Sequence, residues 1–102
     1  MTSPHVQRSR TLVYQHELWL KGIPTRIEIR VYKEDDSYYA RTSHDIKTPS
    51  QASPYADTSV RDDAEYILNQ AISGFTMFYG SAIDAGQTPD DSWLVPNTNP
   101  WA

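Results

Sequence analysis

One stretch of this 102-residue chain has the period of a helix, and it sets what the rest can do. Val60, Ala64, Ile67, Leu68, Ala71, Phe75, Phe78 and Ala82 recur at steps of three and four, forming an apolar stripe. Ser59 reads as the N-cap, with Asp62 in the first turn to complement the helix dipole. Gly80 or Gly86 reads as the stop. Gly74 sits inside the stripe, where glycine costs about 1 kcal/mol relative to alanine, and this predicts a close backbone approach to a sheet. Over residues 59–79 such a helix is about 30 Å long. One helix of that length covers one face of a small sheet and leaves the other face without a helix.

The sheet is read from three runs of alternating polarity. In residues 11–21, Leu12, Tyr14, His16, Leu18 and Leu20 share one face, and Val13, Gln15, Glu17 and Trp19 share the other. Lys21-Gly22-Ile23-Pro24 reads as a turn. In residues 25–33, Ile27, Ile29 and Val31 alternate with Arg26, Glu28, Arg30 and Tyr32. After the turn at residues 34–37, residues 38–43 give a shorter strand with Tyr38 and Ala40 inward, Tyr39 and Arg41 outward. Sequential strands with short turns form an antiparallel meander. The expected fold is α+β: a two-layer β-β-β-α domain over residues 11–86, its three-stranded meander packed on one long helix. Residues 44–57 carry Pro49 and Pro54 and read as an irregular connection that could hold a short edge strand near Ile46.

Residues 1–10 are expected to be a disordered arm. Residues 87–102 are expected to be a tail that carries Trp93 and Trp101. Within it, residues 92–95 have strand-forming side chains, and Pro89 and Pro96 limit their length.

The face without a helix carries Val13, Glu17, Trp19, Arg26, Glu28, Arg30, Tyr32, Tyr39 and Arg41. A solvated sheet face usually bears Thr, Lys and Glu, whereas Trp, Tyr and Arg are enriched at binding hot spots. Three readings stay open: cross-strand ion pairing with half-exposed aromatics, a protein-binding face, and stacking of single-stranded nucleic acid. The net charge of −4 argues against broad capture of nucleic acid. The expected partner-binding residues are Trp19, Arg26, Arg30, Tyr32, Tyr39, Arg41, Trp93 and Trp101.

No constellation in the chain calls for catalysis, a cofactor or a metal. There is no cysteine, which removes thiolate nucleophiles, thiolate zinc sites and disulfides. His16 falls on the inward parity as a core histidine. His44 stands beside Asp45 at a strand end, without a metal-binding spacing. The carboxylate pairs Asp35-Asp36, Asp62-Asp63 and Asp90-Asp91 suit turns and a helix start. Four glycines are too few for a phosphate loop or a dinucleotide fingerprint beside those turns. No run approaches the roughly 20 apolar residues of a membrane span, and no apolar stretch follows the basic N-terminus as a secretory signal would require. A soluble cytoplasmic protein is expected.

Within residues 34–72, the segments EDDSYYARTSHDI and YADTSVRDDAEYILNQAI are similar to the HicB-type antitoxin domain. The shared pattern is an acidic turn, a Tyr-Tyr-Ala-like strand, a loop, a Gly-Asp-Thr-like entry and a helix reading Glu-Ala…Ala-Ile. Matching positions are Asp36, Tyr38, Tyr39, Ala40, Asp57, Thr58, Asp63, Ala64, Ala71 and Ile72. The chain departs from the family where TPSQASPYA replaces a Pro-(Asp/Glu)-Leu-x-Gly-Cys stretch. The resemblance implies a sheet with a packed helix and a noncatalytic, partner-binding role.

These readings converge on a small noncatalytic interaction factor: an adaptor, assembly or inhibitory subunit that binds another protein. An antitoxin-like inhibitor and a single-stranded nucleic-acid binder are the alternatives. An unpaired outer strand could also join two copies into a homodimer.

Overall fold

The computed structural model, which describes residues 5–102, arranges the three alternating runs as an antiparallel meander. Its strands are β1 (Thr11–Leu18), β2 (Ile27–Glu34) and β3 (Ser37–Thr42). Residues 1–4 of the arm expected to be disordered lie outside the described residues. The β2–β3 turn is the two residues Asp35-Asp36, which close Glu34 on Ser37. Asp35 sits at φ 56°, in the left-handed region that tight hairpins use and that aspartate tolerates better than most side chains.

The β1–β2 connection is longer than the expected turn. Pairing stops at Leu18 and resumes at Ile27, because Leu20 and Ile23 are drawn into the core. Gly22, at φ 80°, brings this loop against Pro89.

A register shift between Leu12 and Tyr14 corrects the parity of β1. Leu12 lies opposite Tyr32, while Tyr14 lies opposite Val31, so Val13 is the extra residue of a bulge. Leu12, expected on the helix side, therefore shares the face of Tyr32. Tyr14, His16 and Leu18 keep the helix side.

The helix α1 (Ala64–Asp84) starts later than expected. Asp63 is the N-cap, and its carboxylate accepts the Tyr66 N–H at 3.1 Å. Residues 60–61 instead form the two-residue strand β5 (Val60–Arg61) on the outer edge of β3. The β-branched Val60 suits the extended backbone, and Asp63 caps as well as Ser59 would. Val60 is thus exposed beyond the sheet edge and absent from the buried stripe, which is Ile67, Ala71, Gly74, Phe75 and Ala82. The helix runs through Gly80 and stops at Gly86, φ 80°. There the Gln87 N–H bonds the Ala82 carbonyl and the Gly86 N–H bonds Ile83, a Schellman ending.

The sheet order is β1-β2-β3-β5, with α1 across one face, an α+β fold. After a bend at Ser43 the chain continues as β4 (His44–Ile46), the short strand anticipated near Ile46. β4 pairs with β6 (Leu94–Pro96) in a separate two-stranded sheet. The strand expected at residues 92–95 is shifted by a 3-10 turn at Asp91–Trp93, capped by the Asp90 side chain. Trp93 and Leu94 are buried with Ile46, so β6 belongs to the core.

Gly74 does mark a close approach, though to a loop side chain and not to the sheet backbone. A Cβ there would meet the Tyr55 ring at 2.5 Å, and Tyr55 in turn stacks at 4.8 Å on Phe78. A Cβ at Gly80 meets nothing within 4 Å. Gly74→Ala is therefore expected to lose about 1–3 kcal/mol by overpacking, while Gly80→Ala gains up to about 1 kcal/mol of helix propensity. Urea unfolding of the two variants measures the opposite signs.

Candidate binding face

Pairing between β2 and β3 brings the expected residues together. Arg30 lies opposite Arg41, and Tyr32 lies opposite Tyr39, all on the face away from α1. Two arginines directly opposite each other repel, so an anion must sit nearby. It is Glu28, two residues before Arg30 on the same face and only 7% exposed. Its Oε2 accepts Arg30 Nε at 2.6 Å and Gln15 Nε2 at 3.1 Å. Arg26 approaches Oε1 at 3.6 Å and pairs more closely with Glu17, at 2.6 Å. These contacts satisfy a carboxylate that would be costly to bury alone. The Arg30 guanidinium is held above its ordinary pKa by hydrogen bonding to Tyr32 and then to Glu28.

At the other end, Arg8 grips Glu34 with Nε and Nη2 at 2.9 and 2.8 Å. The Tyr39 hydroxyl donates to the same carboxylate at 3.1 Å. Hydrogen bonding from Arg8 is the main force lowering the Glu34 pKa, and the Arg8 pKa is raised in return. Arg10 lies over the Tyr32 ring at 3.8 Å and also reaches the Tyr39 hydroxyl. Neither arginine figures among the expected site residues. The signal for them is their spacing: Arg8, Arg10 and Leu12 continue the alternation that leads onto the face of Tyr32.

The tail crosses this face. Asn97 is fixed first: its N–H bonds the Ser43 carbonyl, and its side-chain amide bonds Thr42 O and Asp45 Oδ1. Residues 97–100 then line, with Ala40, Thr42 and Thr58, a cavity of about 300 Å³ beside β3. Trp101 lands on Arg30, with the guanidinium 4.1 Å from its ring centre. Arg10 donates to the carbonyl oxygens of Trp101 and Ala102, and Arg41 Nη2 donates to Ala102 at 2.9 Å. Arg41 Nε is buried with no acceptor among the described residues.

The structure therefore gathers Arg30, Tyr32, Tyr39, Arg41 and Trp101 into one site and leaves Arg26 at its exposed rim. Two expectations need correction. Trp93, expected to bind a partner, is 3% exposed and packs edge-on against Tyr79, so it offers no surface. Trp101, also expected to bind a partner, is held by Arg30 in its own chain. Tyr32 is likewise covered, by Arg10. Trp19 is 56% exposed and lies just past the end of β1.

His44 is half-buried, its Nδ1 within 2.8 Å of Ser43 Oγ, and burial lowers its pKa. Among the described residues no group of three or more His, Asp or Glu side chains could hold a metal ion, and no helix is long and apolar enough to cross a membrane. No family model, curated protein or solved structure matches this chain.

The Arg8–Glu34 pair has a definite pH signature. Because the folded state lowers the Glu34 pKa, the pair stabilises the fold above the ordinary carboxylate range and loses this effect as pH falls through the lowered value. In Arg8→Ala the carboxyl should titrate closer to its usual 4.5, as read by NMR of the Glu34 side chain. An unchanged titration would mean that Arg8 does not hold Glu34 in solution.

Proposed function

We propose that the protein is a small noncatalytic interaction factor that holds a peptide segment of a partner protein on the arginine–aromatic face of its sheet. One observation carries this reading: the face already grips a peptide, the chain's own residues 97–102. Arg30 stacks on an indole, while Arg10 and Arg41 take main-chain carbonyl oxygens. An extended segment with a large aromatic side chain followed by carbonyl or carboxylate oxygens reproduces those contacts. Arg41 Nε adds a donor that the tail leaves unused. A partner carboxylate in place of the tail would take Nε and Nη2 together, the bidentate arrangement in which arginine binds most strongly.

The tail competes with such a partner. It is tethered through β6, so it acts at an effective concentration in the millimolar range. Its grip is nevertheless modest, since a cation–π contact at a partly exposed site is worth about 0.5–1 kcal/mol. An antitoxin-like inhibitor would be one member of this class, since residues 34–72, which carry that resemblance, supply β3 and with it Tyr39 and Arg41.

Trp101→Ala in the full chain should change thermal stability little while opening the face. The acetylated hexapeptide Asn-Thr-Asn-Pro-Trp-Ala should then bind at least tenfold more tightly than it binds the unaltered chain, and Arg30→Ala should abolish binding. NMR shifts at Tyr39 and the arginine Nε groups report the site. Absence of binding to the Trp101→Ala protein at millimolar peptide would sink the proposal.

A further inference from the structure

The sheet has two outer strands, and they are managed differently. β5 is two residues long, too short to template another strand. β1 is eight residues long, and its outer side has no neighbour among the described residues. Natural edges are blunted by lysine, proline, inward charge or a bulge, and the bulge of β1 lies near its start, so residues 14–18 remain a regular edge. β1 has neither lysine nor proline, and its one charged residue is Glu17. Its only irregularity is the bulge at Val13. Leu12, Val13, Tyr14 and Trp19 are all exposed on this one stretch. Leu12 and Tyr14 lie on opposite faces of the sheet, so exposed apolar side chains flank the open edge on both sides. On the helix side, α1 lies mainly over β2 and β3, and of β1 only Leu18 packs against the core.

The stretch is also complementary to itself. Residues 12–20, LVYQHELWL, read the same in chemical class in both directions about His16. An antiparallel strand pair related by a two-fold axis sets residue i opposite residue j with a constant sum, and directly opposed residues must share a face. Centring the axis on His16 places Tyr14 against the partner's Leu18, both on the helix side. It places Gln15 against the partner's Glu17, both on the open side, an amide facing a carboxylate. It brings exposed Val13 towards the partner's exposed Trp19. Centring on Glu17 would instead oppose two carboxylates. Centring on Tyr14 would oppose Leu12 and His16, which the bulge has put on different faces.

We infer that β1 is an interface between two copies of this chain, paired antiparallel about a two-fold axis through His16. The edge hydrogen bonds supply the backbone contacts, and the flanking apolar residues are removed from water on both sides. The result is one continuous sheet of eight strands with the two helices on the same side.

The chain has no cysteine, so single cysteines report the register directly. Opposed residues of an antiparallel pair have Cα atoms about 4.5–5.5 Å apart, within disulfide reach. At residues 15 and 17 the two like positions would be separated by about 8 Å, outside it. Sedimentation of the unaltered chain between 10 and 200 μM should show a dimer. In a glutathione redox buffer His16→Cys should cross-link at least tenfold faster than Gln15→Cys or Glu17→Cys. Tyr14→Glu, at an exposed position, should weaken dimerisation at least tenfold while the helical circular dichroism is unchanged. A monomer throughout this range, equal or faster cross-linking at 15 or 17, or a Tyr14→Glu protein that folds and dimerises as before would each overturn the inference.

Discussion

The carboxylate of Glu28 is the contact on which the rest of the open face depends. β2 is the central strand, with Ile27, Ile29 and Val31 fully buried beneath α1. On its other side Arg30 and Arg41 are forced opposite each other by the register. Glu28 is the anion that makes this pairing tolerable, and it draws Arg26, Arg30 and Gln15 inward. Its backbone matters equally. The Glu28 N–H bonds Ser43 Oγ, and its carbonyl accepts the Ser43 N–H, both at 2.9 Å. Ser43 is the bend at which β3 gives way to β4, and its own carbonyl holds Asn97. One residue thus ties together the charge balance of the face, the corner between the two sheets and the point where the tail begins its crossing.

The tail answers a problem of economy. A chain of 102 residues with 38% hydrophobic content can supply one good core, and a single helix can close only one side of it. Tyr32 is nonetheless 5% exposed on the far side. The cover comes from two segments distant in sequence, Arg8 and Arg10 before β1 and Trp101 at the far end of the tail. The first is not apolar in the ordinary sense. Guanidinium groups lie flat on aromatic rings and keep their N–H groups for carbonyl oxygens and carboxylates, so one layer of arginine serves both as lid and as hydrogen-bond donor. The tail part of this cover is fixed at Asn97 and again at residues 101–102.

Much of this architecture is legible in the sequence, and the exceptions share a cause. The meander, the helix and the strand at Ile46 follow from periodicity, which short-range sterics and burial impose directly. The bulge at Val13 does not, because one inserted residue leaves the alternation on each side intact and only reverses its meaning. That is why Leu12 moved to the face of Tyr32. The helix start moved from Ser59 to Asp63 because both can cap, and the choice was made by Val60 pairing with Tyr39, a contact between residues far apart in sequence. Among the site residues, Arg30, Tyr32, Tyr39 and Arg41 are recovered by parity within two strands. The roles of Arg8, Arg10 and Trp101 depend on contacts between segments 26 to 92 residues apart, and the alternation of Arg8 and Arg10 with Leu12 is the one local hint of them.

The two surfaces proposed for binding differ in the forces that operate on them. The open face works through guanidinium groups, so contacts made there weaken with ionic strength. The β1 edge offers main-chain hydrogen bonds and apolar side chains, with only Glu17 charged, so salt has little to act on. They meet at Gln15, whose amide donates to Glu28 on the face, and at Glu17, which pairs with Arg26 at the rim; both stand on the strand that forms the edge. Since the centre of the face at Arg30 and Arg41 draws on other side chains, a partner segment there and a second copy at the edge can be held at once.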